Sequence, residues 1–296
     1  DDFAGSGMTG VAARMCGAPE PAFRQQVESE WAANGTRPQW GARRAVLCDL
    51  APAATFIAAN YNMPFDIREF ERAAKRILDE VEAELGWMYE TLHTDGKTKG
   101  WINYTVWSEV FVCPNCTGEV VFVEEALDEE TRRVQEVFHC PHCKAELTKR
   151  RSETFYESKI DPVTGQARKV PKRQPVLINY SVGGKTYEKK PDLADISLIE
   201  RVERLPIPSE LPTVALPYMH MTHERARMDY SGITHIHHFF LPRAAHALAA
   251  LWRKASAHPD RRVRNMLLFF VEQAIWGMSV LNRYGPLHFS QVNRYL

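Results

Sequence analysis

The chain opens on Asp1-Asp2-Phe3-Ala4-Gly5-Ser6-Gly7-Met8-Thr9-Gly10 and continues into the alanine-rich Val11-Ala12-Ala13-Arg14. A short extended start, a glycine-rich turn and a stretch able to begin a helix read as strand, loop and helix. Gly5 and Gly7 leave backbone bare, so a ligand can approach the main chain where side chains would block it. Further on, Arg44-Ala45-Val46-Leu47-Cys48-Asp49-Leu50 reads as a short buried strand ending in an acid. At such a strand end Asp49 is placed to accept hydrogen bonds from two ribose hydroxyls. These two units predict an α/β, partial Rossmann-like domain over 1–65, with Gly17 to Gly41 as an insertion outside its sheet.

Outward from there, Asp66 and Glu69 form a capping-box pattern. Phe70, Ala73, Ile77, Val81 and Leu85 then recur at helical spacing, which predicts a connecting helix within 66–100. Trp101 to Val112 turns to aromatic and branched residues and opens a β-rich module over 101–160, with a strand expected at Val120 to Val123. Within 161–240, Pro175 to Val182 and Lys185 to Lys189 flank Gly183-Gly184, a two-residue hairpin signal, and a helix from Asp192 to Leu205 follows. The remainder, 241–296, predicts a helical tail: one helix from Pro242 through Trp252, another from about Asp260 to Tyr284, stopped by Gly285-Pro286.

Cys113-Pro-Asn-Cys116 and Cys140-Pro-His-Cys143 form two knuckles, and together they offer four soft ligands to a tetrahedral zinc ion. A site of four cysteines is closed, so its expected role is structural. A longer hairpin at Asp128 to Arg133 would absorb the wide separation between the pairs. Paired Cys-x-x-Cys favours metal in a reducing compartment over disulfides, and Cys16 and Cys48 read as buried thiols.

The opening motif resembles the Asp-Pro-Phe-x-Gly-Ser-Gly-Thr-Thr cofactor motif of amino-group DNA methyltransferases. Asp49-Leu50-Ala51-Pro52-Ala53-Ala54-Thr55-Phe56-Ile57-Ala58 with Asn60-Tyr61-Asn62 is similar to the adenine-specific DNA methylases that contain a zinc ribbon. The likeness extends through Ile102-Asn103-Tyr104-Thr105-Val106-Trp107-Ser108, both cysteine pairs, Leu177-Ile178-Asn179-Tyr180-Ser181 and Gly232-Ile233-Thr234-His235. It implies that Asp1, Phe3, Ala4, Gly5, Ser6, Gly7 and Thr9 line S-adenosyl-L-methionine, with Asp49 on its ribose. It also implies direct methyl transfer to the exocyclic amine of an adenine flipped from double-stranded DNA, in the cytoplasm of a prokaryote. Asp2 stands where the motif has proline, and Met8 where it has threonine. The family's Asp/Asn/Ser-Pro-Pro-Tyr/Phe motif is absent, since no Pro-Pro occurs here. The resemblance therefore implies a fragment, truncated at the front, whose catalytic residues lie in a downstream part of the enzyme beyond Leu296 and which transfers no methyl group alone.

Lysine plus arginine and aspartate plus glutamate are 37 each, so no net field draws the molecule to a polyanion and any nucleic-acid surface is a local patch. Basic groups cluster at Lys149-Arg150-Arg151, Arg168-Lys169 with Lys172-Arg173, Lys185 with Lys189-Lys190, and Arg261-Arg262 with Arg264, mostly in and after the cysteine module. That insert is the candidate for DNA contact. His220, His223, His235, His237 and His238 are expected to bond backbone, pack or touch phosphate, with His235 and His237 on one strand face and no accompanying carboxylate motif. Met266 to Leu281 is broken by Glu272 and Gln273 and falls short of the roughly 20 apolar residues of a span, so no membrane anchor is expected. The rival reading is a zinc-ribbon nucleic-acid or protein-binding module without enzymatic role. A variant of the first reading methylates RNA or protein instead.

Overall fold

A computed structural model describes residues 1–128, 130–285 and 288–291. The chain is mixed α/β and divides into two compact units, Asp1–Arg76 with Lys254–Val271, and Ile77–Arg253 with Glu272 onward. Along the chain come helices α1 (Met8–Gly17), α2 (Pro21–Ala33), α3 (Pro52–Asn62) and α4 (Ile67–Leu85), then strands β1 (Glu90–Leu92), β2 (Lys99–Val112) and β3 (Glu119–Val121). A short helix α5 (Phe122–Ala126) precedes β4 (Val137–His139), β5 (Glu146–Thr148), β6 (Glu153–Thr154), β7 (Tyr156–Ile160), β8 (Ala167–Pro171), β9 (Arg173–Val182) and β10 (Lys185–Lys189). Helices α6 (Leu193–Glu203), α7 (Pro242–Ser256) and α8 (Arg261–Met278) lead to β11 (Arg283–Gly285) and β12 (His288–Gln291).

In the first unit helices dominate. α1 meets α3 at two glycines: a Cβ on Gly7 would come 2.7 Å from Ala58 Cβ, and one on Gly10 would come 2.3 Å from Asn62 Oδ1. Asp66 accepts the Glu69 N–H at 3.0 Å and so caps α4, as its sequence predicts. Ala73, Val263, Leu267 and Val271 are buried, and Phe70 meets Phe270 edge-on.

The expected parallel sheet is not formed. Residues 1–4 and 46–48 share three backbone hydrogen bonds: Asp1 N to Val46 O, Cys48 N to Asp1 O and Ala4 N to Cys48 O. Asp1 thus bonds two residues spaced two apart on its partner, the pattern of a parallel pair, yet neither segment is a regular strand. Such a pair needs helices and further strands over both faces to be stable. Here Val46, Leu50 and Phe3 stay largely exposed instead. The stretch Gly17 to Gly41, expected as an insertion outside the sheet, contains α2, whose Arg24–Glu28 and Gln26–Glu30 pairs support a helix with no buried residue.

The second unit is built on a curled antiparallel sheet. β2 pairs with β1 at its start, with β9 along its length and with β3 and β6 at its end, while β10 pairs with β9. Register shifts between Ile102 and Tyr104 and between Val106 and Trp107 mark bulges that bend this 14-residue strand. Gly183 and Gly184 both take positive φ, as a two-residue hairpin turn requires. Ile102, Ile178 and Tyr180 form one core on this sheet, and Leu85, Met88, Val202 and Ala250 form another beneath α6. Asp192 starts α6 with a full capping box.

Two further expectations shift. Val120 to Val123 is strand only to Val121, after which α5 begins and sets Phe122 edge-on to Phe138. The last helix stops at Met278, not Tyr284, because Ser279 turns back on Trp276 O and Val280 N bonds Phe239 O at 2.7 Å. Gly285 lies in β11; the Pro286 part of the expected stop, and the end of the 241–296 tail, lie outside the described residues. Among the described residues no helix is long and apolar enough to cross a membrane.

Candidate functional site

The two cysteine knuckles have the same local geometry. In the first, Thr117 N bonds Cys113 O and Cys113 N bonds Gly118 O, both at 2.9 Å; in the second, Lys144 N bonds Cys140 O and Cys140 N bonds Ala145 O, both at 3.0 Å. Thr117 and Lys144 each take a left-handed conformation, with φ of 59° and 63°. Each tight turn aims two thiols the same way. All four sulfurs lie within 4.8 Å of one another, with Cys113 to Cys143 and Cys116 to Cys140 both at 3.7 Å. Bonds of about 2.3 Å from zinc to sulfur at tetrahedral angles place sulfurs about 3.8 Å apart, so the group fits a metal ion such as zinc.

The site is buried on one side, while Cys116 is half-buried and Cys143 exposed. Cys113 and Cys140 are buried with Val120, Ala126, Phe138 and Leu147 in one small core. Burial opposes ionisation of Cys140, but the N–H groups of Cys143 and His142 and the neighbouring thiols bring it down to about 6. Against the Gly118 N–H, which favours its thiolate, desolvation and the other three sulfurs push Cys116 up to about 12.

At the front of the chain the glycine loop meets the acid. Asp49 Oδ2 accepts the Gly5 N–H at 2.9 Å, and Oδ1 accepts the Ala51 N–H at 3.0 Å. The N–H groups of Ala51 and Gly5 hold this carboxyl below its usual range. Asp1 accepts from Thr9 Oγ1 at 2.6 Å and from Phe3 N at 3.3 Å, so Asp1, Phe3, Gly5, Thr9 and Asp49 belong to one turn structure. Ala4 is buried and Ser6 exposed. The two glycines differ in role: a Cβ on Gly5 would meet nothing within 4 Å, whereas Gly7 is kept small by α3. Only Gly5 therefore offers open space over bare backbone.

The histidines are arranged differently from expectation. Ile236–Phe239 is a short 3-10 helix, not a strand, so it is His237 and His238 that converge. They meet Asp161, from the turn between β7 and β8, which the sequence places 76 residues away from His237. Asp161 Oδ2 accepts from His237 Nε2 at 3.1 Å and from His238 Nε2, while Oδ1 accepts the N–H groups of Val163 and Thr164. Three buried side chains, one carboxylate and two imidazoles, lie close enough for an ion. However, Thr234 N and His235 N both point at His238 Nδ1, at 3.2 and 3.3 Å. That nitrogen is an acceptor, which leaves the proton on Nε2, facing the acid. The group is a carboxylate held by imidazole N–H donors, with Arg168 Nε 4.0 Å away. The other two histidines lie apart: His220 bonds Glu224 and His223 stacks on Tyr218.

Several basic residues already have partners. Lys149 pairs with Glu109, Lys172 with Glu119, and Lys189 with Asp192 and Asp195. Arg150 and Arg151 are exposed and have no carboxylate partner among the described residues. No protein-family model, curated protein or solved structure matches the chain.

Proposed function

We propose that the chain is the cofactor-binding and zinc-bearing part of an S-adenosylmethionine-dependent DNA methyltransferase acting on the exocyclic amine of adenine. The observation that supports it is the bond from Gly5 N to Asp49 Oδ2 at 2.9 Å. It joins a loop with open space over its backbone to a carboxylate in a neighbouring segment. Each Asp49 oxygen accepts one backbone N–H and keeps acceptor capacity for a ribose hydroxyl. Asp1 accepts from Thr9 Oγ1 and Phe3 N in the same loop, and Gly7 supports it by letting α1 sit against α3. The bound cofactor would supply an activated methyl group.

On this reading zinc in the four-cysteine centre folds a module whose own core is small, and Arg150 and Arg151 are candidates for phosphate contact with double-stranded DNA. Exposed Phe3, Val46 and Leu50 offer apolar surface to a further part of the same enzyme. Calorimetric titration with S-adenosylmethionine is the test. Binding is expected, with Asp49→Ala losing about tenfold or more in affinity and Asp49→Asn, which keeps one carbonyl acceptor, losing less. A wild-type chain that takes up its metal yet shows no binding favours the non-enzymatic zinc module.

A further inference from the structure

The second unit contains a cavity of about 500 Å³ between β2, α6 and the start of α7. Two guanidiniums line it, and among the described residues neither has a carboxylate of its own. Arg173 lies opposite Glu109 in the β2–β9 ladder, but Glu109 Oε2 is held by Lys149 at 2.7 Å. Arg243 reaches Thr105 Oγ1 at 3.5 Å and lies 5.3 Å from the Tyr89 ring. The acid it feels, Asp195, is held by Lys189 at 2.8 Å and by Thr91 at 2.6 Å. Glu203 also lines the cavity, and among the described residues it pairs with neither arginine. Burial weakens the hold of both guanidiniums on their protons.

A third positive feature lines the same cavity. Pro242, Arg243 and Ala244 are the first residues of a 15-residue helix that has no acid in its first turn and follows an aliphatic Leu241. The first N–H groups of a helix have no partner within it and carry its positive dipole end. Aromatic rings line the cavity too: Tyr89 beside Arg243, Trp107, and the tilted pair Tyr104 and Tyr284. Desolvated arginines without counter-charges cost stability unless an anion completes them. The aromatic walls suit a planar ring attached to that anion.

We propose that this cavity binds a nucleotide, its phosphate between Arg173, Arg243 and the α7 N-terminus and its base against the aromatic walls. The phosphate could come from a free nucleotide or from one residue of a DNA strand, and the chemistry is shared. The site uses none of the residues around Gly5 and Asp49, so it stands or falls apart from the cofactor reading.

The test is calorimetric titration of the full chain at low salt with dAMP, deoxyadenosine and a five-residue deoxyadenosine oligonucleotide. We expect dAMP to bind about tenfold or more tightly than deoxyadenosine, and Arg243→Met and Arg173→Met each to lose about tenfold or more for dAMP. Tighter binding of the oligonucleotide identifies the strand as the source; weaker binding identifies the free nucleotide. Should either methionine variant fail to fold, Arg243→Lys keeps the charge without the two-pronged donor and is expected to weaken dAMP binding. Absence of dAMP binding to the wild-type chain, or equal binding by wild type and all folded variants, overturns the proposal.

Discussion

Asp161 is only 2% exposed, and four donors hold its carboxylate: two backbone N–H groups and two imidazoles, with Arg168 4.0 Å away. Burial alone would raise its pKa, but the Thr164 N–H, His238, the Val163 N–H and His237 outweigh it and press it well below the carboxylate range. Burial likewise lowers His238 to about 4 from 6.5. The sign follows from linkage. A neutral buried imidazole contributes stability above pH 6.5, and that contribution is lost as pH falls toward 4; the Asp161 contribution is lost at still lower pH. The melting temperature is thus expected to fall on acidification from pH 7 to 4, and less so in His238→Gln. Asp161→Ala should cost about 3 to 5 kcal/mol in urea unfolding, since it strands several buried donors at once. Nitrogen-15 shifts at pH 6 should find His238 neutral, with its proton on Nε2. A protonated Nδ1, or titration near 6.5, would contradict this assignment.

Elements set by local turn chemistry were legible in the sequence. The knuckles follow from Cys-x-x-Cys, the β9–β10 hairpin from Gly183-Gly184, α4 from its capping aspartate and apolar stripe, and α6 from Asp192. Elements that depend on distant partners were not. Arg44 to Leu50 has the composition of a buried strand but lacks neighbours on both faces, and nothing near His237 announces Asp161. Gly7 was read as room for a ligand, and only the packing of α3 shows its other use. The metal centre makes the sharpest prediction at this scale. With zinc bound, the purified chain should carry one metal, and Cys140→Ser should lose most of it. Chelation should raise hydrogen exchange across residues 113–148 while α1 and α3 stay protected. Unchanged exchange in the knuckles after full metal removal would count against a structural role.

For the molecule as a whole, balanced charge leaves function to local sites, not to a global field. The first unit brings the glycine loop to Asp49, and the second carries the four-cysteine centre and the arginine-lined cavity. The methyltransferase reading rests on the first of these, which makes it directly measurable. Irradiating the intact protein with S-adenosylmethionine labelled in its methyl group, then mapping the labelled peptide, tests where the cofactor sits. The label is expected within residues 1–14 or 44–51 and should vanish when S-adenosylhomocysteine competes. Label confined to other peptides, or none that the competitor removes, would contradict the assignment of Gly5 and Asp49 as a cofactor site.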